Sequence, residues 1–270
     1  RIQSGLFDLG VAVSWSKSTE ASADAVQWSS LDPFIGRDVG LIDPIASAVM
    51  ANAYLDRFDR ESKDLDRRAA RKIEQAGRSG GSASSGVSAG AHPFRKEHLA
   101  PIVDGAVAIV FASTRAIESR DLRRPPVWLR GLGWATDSYA LSERTLWEWP
   151  VLRQVGGDAL ARAGVRVEEI DHFELDDYSV LHEALAVESL GLATPGTGFD
   201  YFSEAEETGH SVNPSGGGFR GYPLVCAGMW RVVEACHRMT ESSVSRALVH
   251  GTTGIAAQGH EVAILERTGG

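Results

Sequence analysis

Three consecutive glycines ahead of a helical segment are the feature that most restricts the fold of this 270-residue chain. The run Gly216–Gly218 follows the turn-forming sequence Asn213-Pro214-Ser215 and precedes an apolar segment, 224–239, with helical spacing. Glycine allows a positive φ and lets a ligand or another strand approach closely. Open α/β proteins place ligand sites at loops that lead into helices. The stretch 211–228 therefore favours an α/β fold with a ligand site beside this loop.

The composition allows a large hydrophobic core and restricts the class of partner. Hydrophobic residues make up 43% of the chain and charged residues 23%, as in ordinary globular proteins. The net charge of −9 argues against a nucleic-acid backbone as the main partner. No apolar run reaches membrane-spanning length, and no signal-peptide pattern occurs at the start. Cys226 and Cys236 lie about 15 Å apart along one predicted helix, too far for a disulfide, which fits a reducing, cytoplasmic compartment.

Strand-length apolar runs alternate with helical periodicity along the chain, a pattern typical of α/β proteins. The predicted strands span 7–15, 106–112, 127–135, 172–175, 246–250 and 262–267. The predicted helices span 42–58, 59–76, 114–121, 143–163, 179–190 and 224–239. Pro150 is expected to break the helix over 143–163, and Gly164 to end it. The last two strands are separated by a glycine-containing turn and predict an antiparallel edge. A Gly/Ser/Ala-rich segment, 77–90, is expected to be mobile, and Arg123-Arg124-Pro125-Pro126 indicates a boundary.

Four segments resemble the thiolase superfamily, in the family's order. Asn213 to Gly217, with Gly221 and Pro223, resembles the signature of sterol carrier and archaeal-type thiolases, which have His where this chain has Tyr222. Segment 170–192 resembles the strand that ends in Glu-Leu-His-Asp and its following helix. Segment 101–106 resembles the Asp-Gly-Ala turn into the last strand of the N-terminal half, and segment 2–13 resembles the region after the nucleophilic cysteine.

This resemblance implies an α/β fold of two similar βαβαβαββ halves packed as αβαβα layers, with the N-terminal half incomplete. Residues 1–122 would form the rear of that half, including a loop insertion at about 19–103, and residues 123–270 would form the C-terminal half. The nucleophilic cysteine of the family would lie upstream of Arg1 or on another chain. Because the sequence does not begin with Met, we expect residues to precede Arg1.

The resemblance also implies a function on acyl-coenzyme A thioesters. The first expectation is a lipid-transfer-type acyltransferase that forms or cleaves carbon–carbon bonds and uses coenzyme A thioesters as substrates, without a tightly bound cofactor. Tyr178 and Tyr222 suggest an alternative, aldol-type cleavage of a steroid or acyl-coenzyme A side chain with an OB-fold/zinc-ribbon partner. The lost His positions and the missing nucleophile suggest a third, a non-catalytic acyl-coenzyme A-binding subunit. The family also implies a homodimer.

Four residues are candidates for chemistry by their place in the resemblance. Tyr222 stands at the position of the family's base, and with an ordinary pKa of ~10 it is suited to donate a proton rather than accept one. Asp176 stands at the position of a family His, and its alternative role is to cap the helix after Ser179. Tyr178 could act as an acid beside it. His250 ends a strand and leads into a glycine-rich turn near the family's active site.

Five further residues are candidates for binding coenzyme A: Gly216, Gly217, Gly254, Arg67 and Arg71. The two arginines belong to a basic helix that also carries Arg68 and Lys72, for which a solvated face is the alternative interpretation. His172 and His210 are weaker candidates for the site. No His-x-x-x-His or Cys-x-x-Cys spacing indicates a metal site.

Overall fold

A computed structural model describes residues 2–79, 91–120, 125–202 and 211–267. Its first elements are β1 (Leu9–Ser16), α1 (Ala23–Ser30), α2 (Asp43–Arg57), α3 (Ser62–Arg78), β2 (Gly105–Ala112), α4 (Thr114–Glu118) and β3 (Trp128–Thr136). There follow α5 (Pro150–Ala163), β4 (His172–Glu174), α6 (Val180–Ser189), β5 (Ser211–Val212), α7 (Ala227–Glu241), β6 (Arg246–Thr253) and β7 (Gly259–Glu266). The segment 77–90, expected to be mobile, begins inside α3, which extends to Arg78, so the expectation is wrong for its first two residues. Residues 80–90 of that segment, the boundary at 122–123 and His210 lie outside the described residues.

The described strands form two sheets. Strands β1 and β2 pair antiparallel, and a mixed sheet has the order β3-β7-β6-β4-β5. In the mixed sheet β4 runs parallel to β5 and β6, whereas β7 runs antiparallel to β6 and β3. The last two strands are thus antiparallel as predicted, but the expectation that they form the edge is wrong. Strand β3 pairs with β7 along its length and supplies that edge itself.

Two glycines of β3 let α5 lie directly on the mixed sheet. A Cβ atom at Gly131 would lie 2.0 Å from the carbonyl oxygen of Ala159, and one at Gly133 would lie 2.5 Å from that of Val155. Any side chain at these positions would push the helix away from the strand. On another part of the sheet, α7 packs against β6. All residues of α6 are buried, so this helix forms the centre of the main core.

Helix α5 begins later than the sequence predicts. The expected break near Pro150 is confirmed, because Pro150 occupies the first turn and its ring is incompatible with a helix continuing before it. The predicted helical segment over 143–149 is wrong. Gly164 ends the helix with a φ of +69°, as predicted. Within the described ranges, none of the helices combines the length and apolar character that a membrane span requires.

Candidate active site

The two turns singled out in the sequence meet in the interior. The hydroxyl group of Tyr222 donates a hydrogen bond to Oδ2 of Asp176 at 2.7 Å. Both side chains are buried, with exposed fractions of 6% and 1%. A phenol and a carboxylate held this close in a water-poor region form a strong, charge-assisted hydrogen bond.

The side chain of Asn213 joins the two turns. Its carbonyl oxygen accepts from the backbone N–H of Leu175 at 2.8 Å, and its amide group donates to the Leu175 carbonyl at 3.0 Å. Asn213 has a φ of +42°, a conformation that Asn tolerates better than most residues. The backbone N–H of Tyr222 in turn donates to the Pro101 carbonyl at 2.7 Å. These bonds fix the loop after β5 against the end of β4.

The glycine run packs against the protein's own atoms. Gly216 and Gly217 have φ values of +93° and +56°. A Cβ atom at Gly216 would lie 2.6 Å from the backbone of Ala76, and one at Gly217 would lie 2.2 Å from Oδ2 of Asp177. The backbone N–H of Gly218 donates to the same carboxylate at 2.9 Å. Here the bare backbone allows close approach to α3 and to Asp177, and a contact of these glycines with coenzyme A stays a prediction.

Asp177 belongs to a buried ionic cluster rather than to the cap of α6. Lys72 donates to its carboxylate at 2.5 Å, and Arg231 donates to its other oxygen. The cap is Ser179, whose hydroxyl oxygen accepts from the backbone N–H of His182 at 3.3 Å. Because Ser179 is the cap, the alternative expectation that Asp176 caps this helix is wrong.

The same cluster extends to Glu183 on α6. Its carboxylate accepts from Arg68 at 2.7 Å, from Lys72 at 2.9 Å and from the amide group of Asn213 at 2.6 Å. Burial opposes ionisation, but Arg68 and Lys72 lower the pKa of Glu183 to about 2. Arg68 and Lys72 are buried, so the solvated-face interpretation is wrong for these two residues. Their ion pairs with Glu183 hold α3 against α6.

Asp176 is held as an anion by three donors. Besides Tyr222, Nδ1 of His182 lies 3.0 Å from its Oδ1, and the backbone N–H of Tyr178 donates to Oδ1 at 3.2 Å. Burial raises the pKa of Asp176, but the His182 hydrogen bond and the charge of Arg231 outweigh it and lower the pKa. Arg231 also lies over the ring of Tyr222, 5.9 Å from its centroid. The carboxylate is therefore ionised, and it accepts hydrogen bonds but does not donate them.

Tyr178 places a second phenol beside the first. The two tyrosine ring centroids are 5.4 Å apart. The hydroxyl group of Tyr178 is buried and has no hydrogen-bond partner among the described residues. Burial, followed by the charge of Asp43, raises the pKa of Tyr178, and burial and Asp176 raise that of Tyr222. Both side chains are therefore neutral phenols at physiological pH, able to donate a hydrogen bond.

His250 contacts the backbone of Asp176 and the ring of another histidine, His260. Its Nδ1 accepts from the backbone N–H of Asp176 at 3.4 Å, and its Nε2 lies 3.1 Å from Nδ1 of His260. We therefore assign the proton of His250 to Nε2. Burial lowers the pKa of His250, and it lowers the pKa of His260 to about 3. Trp149 packs against both rings and against His182, with centroid distances of 4.9 to 5.9 Å.

The structure thus brings together Tyr222, Asp176, Tyr178 and His250, the four predicted catalytic candidates. The predicted coenzyme A contacts are not bonded to this group. Arg67 is exposed and lies 3.4 Å from Asp64. Arg71 donates to the Phe202 carbonyl at 2.7 Å, and Gly254 lies in the β6–β7 turn with a φ of +73°.

Several residues of the site were not predicted from the sequence, above all His182, His260, Trp149 and Arg231. His172, a weak candidate, lies in β4 with Nε2 3.0 Å from Glu174. His182 and Glu183 lie side by side in a helix whose neighbours are apolar. Two polar residues in such a helix must be hydrogen-bonded inside the protein, and this signal could have identified them.

Among the described residues, no group of His, Cys, Asp and Glu has an arrangement that could hold a metal ion.

Comparison with known proteins agrees with this architecture. Residues 133–267, half of the chain, match the family model described as thiolase C-terminal domain-like. The chain belongs to the thiolase superfamily. It is of the sterol carrier, lipid-transfer type: sterol carrier protein 2 of Bos taurus is 28% identical over 148 residues, and that of Gallus gallus is 27% identical over 151. These matches cover 50% and 52% of the chain and only 26% and 27% of the relatives, so the chain spans about a quarter of their length.

Two solved structures share the thiolase-like fold. A structure named "Ltp2-ChsH2(DUF35) aldolase" has a TM-score of 0.77 at 20% identity and covers 98% of this chain and 74% of its own. A monomeric SCP2-thiolase-like protein type 1 from Mycobacterium smegmatis has a TM-score of 0.70 at 18% identity, covering 100% of this chain and 58% of its own. The family and the thiolase-like α/β fold predicted from the sequence are thereby confirmed.

Proposed function

We propose that this thiolase-like protein acts on acyl-coenzyme A thioesters by aldol-type cleavage or formation of a carbon–carbon bond. The observation that carries the proposal is the hydrogen bond from Tyr222 to Asp176 beside the unpartnered hydroxyl group of Tyr178. Two phenols and one buried carboxylate supply the proton donors and the proton acceptor that such a reaction needs. The name of one structural neighbour, an aldolase, supports the same class of chemistry for the fold.

The reaction needs no oxidant and no further reactant. In a 3-hydroxyacyl thioester, a base takes the proton of the hydroxyl group, and the oxygen forms a carbonyl. The bond between Cα and Cβ breaks, and its electron pair forms the enolate of a shortened acyl thioester. An acid then delivers a proton to Cα. The products are a ketone or aldehyde and an acyl-coenzyme A, and the synthetic direction reverses each step.

The cluster offers one group for each proton transfer. Asp176 is ionised and accepts from Tyr222, but its lowered pKa makes it a weak base. Tyr222 can therefore take the substrate's proton only in concert with moving its own towards the carboxylate, so the pair relays the proton during the reaction and does not store it on Asp176. Tyr178 is a neutral phenol with a free hydroxyl group, so it can stabilise the enolate oxygen or protonate Cα. With an acyl thioester bound, both phenols would contact its reacting atoms. The base and the acid are then separate residues.

The acyltransferase expected from the family needs a thiolate nucleophile at the site. The described cysteines do not contact the tyrosine pair. Cys226 donates through Sγ to the Pro223 carbonyl at 3.3 Å, and Cys236 packs in a second apolar cluster. Burial raises the pKa of both thiols, which opposes thiolate formation. Acyl transfer remains a prediction that requires a cysteine from outside the described residues.

We also propose that the protein works with a partner. The face of β1 carries four exposed apolar side chains, those of Leu9, Val11, Val13 and Trp15. Apolar patches of this kind mark protein contacts. The aldolase neighbour is named as two proteins, which supports a partner such as the OB-fold/zinc-ribbon subunit implied by the resemblance. The homodimer and cytoplasmic location stay predictions.

Product analysis separates the three functions. The full-length protein is incubated with a 3-hydroxyacyl-coenzyme A that has a tertiary Cβ, alone and after co-expression with an OB-fold/zinc-ribbon subunit. We expect a ketone and a shortened acyl-coenzyme A, detected by mass spectrometry. Cleavage of a 3-ketoacyl-coenzyme A by free coenzyme A would instead identify the acyltransferase. Calorimetric binding of the thioester without any product would contradict both and identify a binding subunit.

A further inference from the structure

His182 is an inner member of a hydrogen-bonded chain of four side chains. Oγ of Ser47 lies 3.4 Å from Nε2 of His182, whose Nδ1 lies 3.0 Å from Asp176, which accepts from Tyr222. The chain joins α2, α6 and the two site turns. All four side chains are buried. The two oxygens of Asp176 are divided between these two side chains, Oδ1 for His182 and Oδ2 for Tyr222, and Oδ1 also accepts from the backbone N–H of Tyr178.

The ring of His182 is fixed in place on several sides. Trp149 packs against it with a centroid distance of 5.1 Å, and Tyr178 with one of 5.9 Å. Its backbone N–H is bonded to the Ser179 cap of α6. An ionised carboxylate can only accept, so the proton of His182 belongs on Nδ1. Nε2 is then the acceptor for the hydroxyl group of Ser47.

We propose that His182 is a positioning residue for the tyrosine-to-aspartate proton transfer. Its Nδ1–H holds Oδ1 of Asp176, so that Oδ2 faces Tyr222 and receives the proton. Without this bond only the longer bond from the backbone N–H of Tyr178 would hold Oδ1. The carboxylate could then rotate more freely about its last torsion, which is broad and has no strong staggered preference. This inference rests on the proposed aldol function, but the hydrogen bond on which it depends can be measured without that activity.

Two substitutions at His182 separate its hydrogen bond from its bulk. In His182→Asn the side-chain amide nitrogen replaces Nδ1 and can still donate to Asp176, whereas His182→Leu fills the space without a donor. We expect His182→Leu to lower kcat by about 10²-fold with KM unchanged, the size of loss that a misplaced group causes. His182→Asn should recover most of that loss. His237→Asn, on the exposed face of α7, is the control and should retain wild-type kcat.

Equal losses in His182→Leu and His182→Asn, or wild-type kcat in both, would overturn the proposal. A second measurement needs no variant that folds and no turnover. In ¹⁵N NMR spectra of the full-length protein, the His182 ring should show a protonated Nδ1 and an unprotonated Nε2. The opposite tautomer would overturn the proposal. The predicted tautomer in a protein without aldol activity would instead mean that the proposed function has failed while the His182–Asp176 bond stands.

Discussion

The hydroxyl group of Tyr222 and the carboxylate of Asp176 are 46 positions apart in the chain and 2.7 Å apart in the fold. Each residue stands where the resemblance to sterol carrier-type thiolases places a histidine. In this chain a phenol and a carboxylate therefore stand at the two positions where the resemblance expects imidazoles. A phenol with a raised pKa and a carboxylate with a lowered one differ strongly in proton affinity, which keeps the proton on Tyr222 in the resting site and makes Tyr222 the donor of the hydrogen bond.

The free hydroxyl group of Tyr178 gives a prediction that separates function from stability. Tyr178→Phe removes a buried hydroxyl group without a hydrogen-bond partner, so the free energy of unfolding should stay the same or rise by up to about 1 kcal/mol. Aldol turnover should fall by about 10²-fold or more. Urea unfolding and product assays of the same preparations measure both quantities.

Tyr54→Phe is the matched control, because the hydroxyl group of Tyr54 donates to Glu188 in the interior. This variant should lose stability, since Glu188 is left without that donor. If Tyr178→Phe were as destabilised as Tyr54→Phe, the hydroxyl group of Tyr178 would have a structural partner, and its proposed role would be wrong.

Lys72 should be one of the most sensitive positions outside the site. Its ammonium group is fully buried between Asp177 and Glu183. Lys72→Met leaves two carboxylates without their shared cation, and we expect a loss of about 3–5 kcal/mol in the free energy of unfolding. Lys63→Met, at an exposed pair on the same helix, should change it by less than about 0.5 kcal/mol. Similar urea midpoints for the two variants would show that the buried ionic cluster contributes nothing to the free energy of unfolding.

The glycine run gives a prediction about backbone conformation. Gly217→Ala places a Cβ 2.2 Å from Asp177 at a positive φ, so either the loop or the carboxylate must move. We expect a loss of at least about 1 kcal/mol in stability, with reduced turnover because the Tyr222 turn shifts. Gly157→Ala, in α5 with open space around it, should instead gain about 0.5–1 kcal/mol. Equal midpoints in thermal unfolding would contradict the packing described for the loop.

The buried histidine pair predicts a loss of stability in mild acid. The folded-state pKa of His260 is lowered to about 3, and that of His250 is also lowered, whereas unfolded histidines titrate near ~6.5. The unfolded state therefore binds protons first as the pH falls below that value. The free energy of unfolding should fall by up to about 1.4 kcal/mol per pH unit for each histidine. Urea unfolding between pH 7 and pH 5 stays above the range in which unfolded carboxylates titrate.

His260→Gln keeps a hydrogen-bonding group beside His250 but removes one titrating ring, so the slope of stability against pH should become smaller. His237→Gln, at an exposed position, should leave the slope as in the wild type. A wild-type protein equally stable at pH 7 and pH 5 would mean that the two rings are accessible to protons in the folded state.

The sequence predicts the local parts of this fold well. The glycine loop, the strand that ends before Asp176 and the helix end at Gly164 each depend on a few neighbouring residues. The same local signatures led to the expectation that Tyr222 and Asp176 share a site. The break at Pro150 was predicted as well, but helical spacing over 143–149 wrongly indicated a further helical segment before it.

The remaining differences come from contacts between distant segments. Lys72 and Glu183 are 111 positions apart, and a basic helix face looks solvated until its partners are known. The place of β7 inside the sheet depends on its pairing with β3. His182 was overlooked because its role depends on three elements that meet only in the folded chain. A polar pair inside an apolar helix is the one local sign of such a contact.

The central claim is that the Tyr222–Asp176 pair transfers a proton during aldol cleavage of an acyl-coenzyme A thioester. The most direct measurement compares turnover of the 3-hydroxyacyl-coenzyme A by the wild type, Tyr222→Phe and the control Tyr139→Phe, whose ring is exposed. We predict a loss of about 10²- to 10⁴-fold in Tyr222→Phe, with thioester binding retained and Tyr139→Phe unchanged. Wild-type turnover in Tyr222→Phe would contradict the claim.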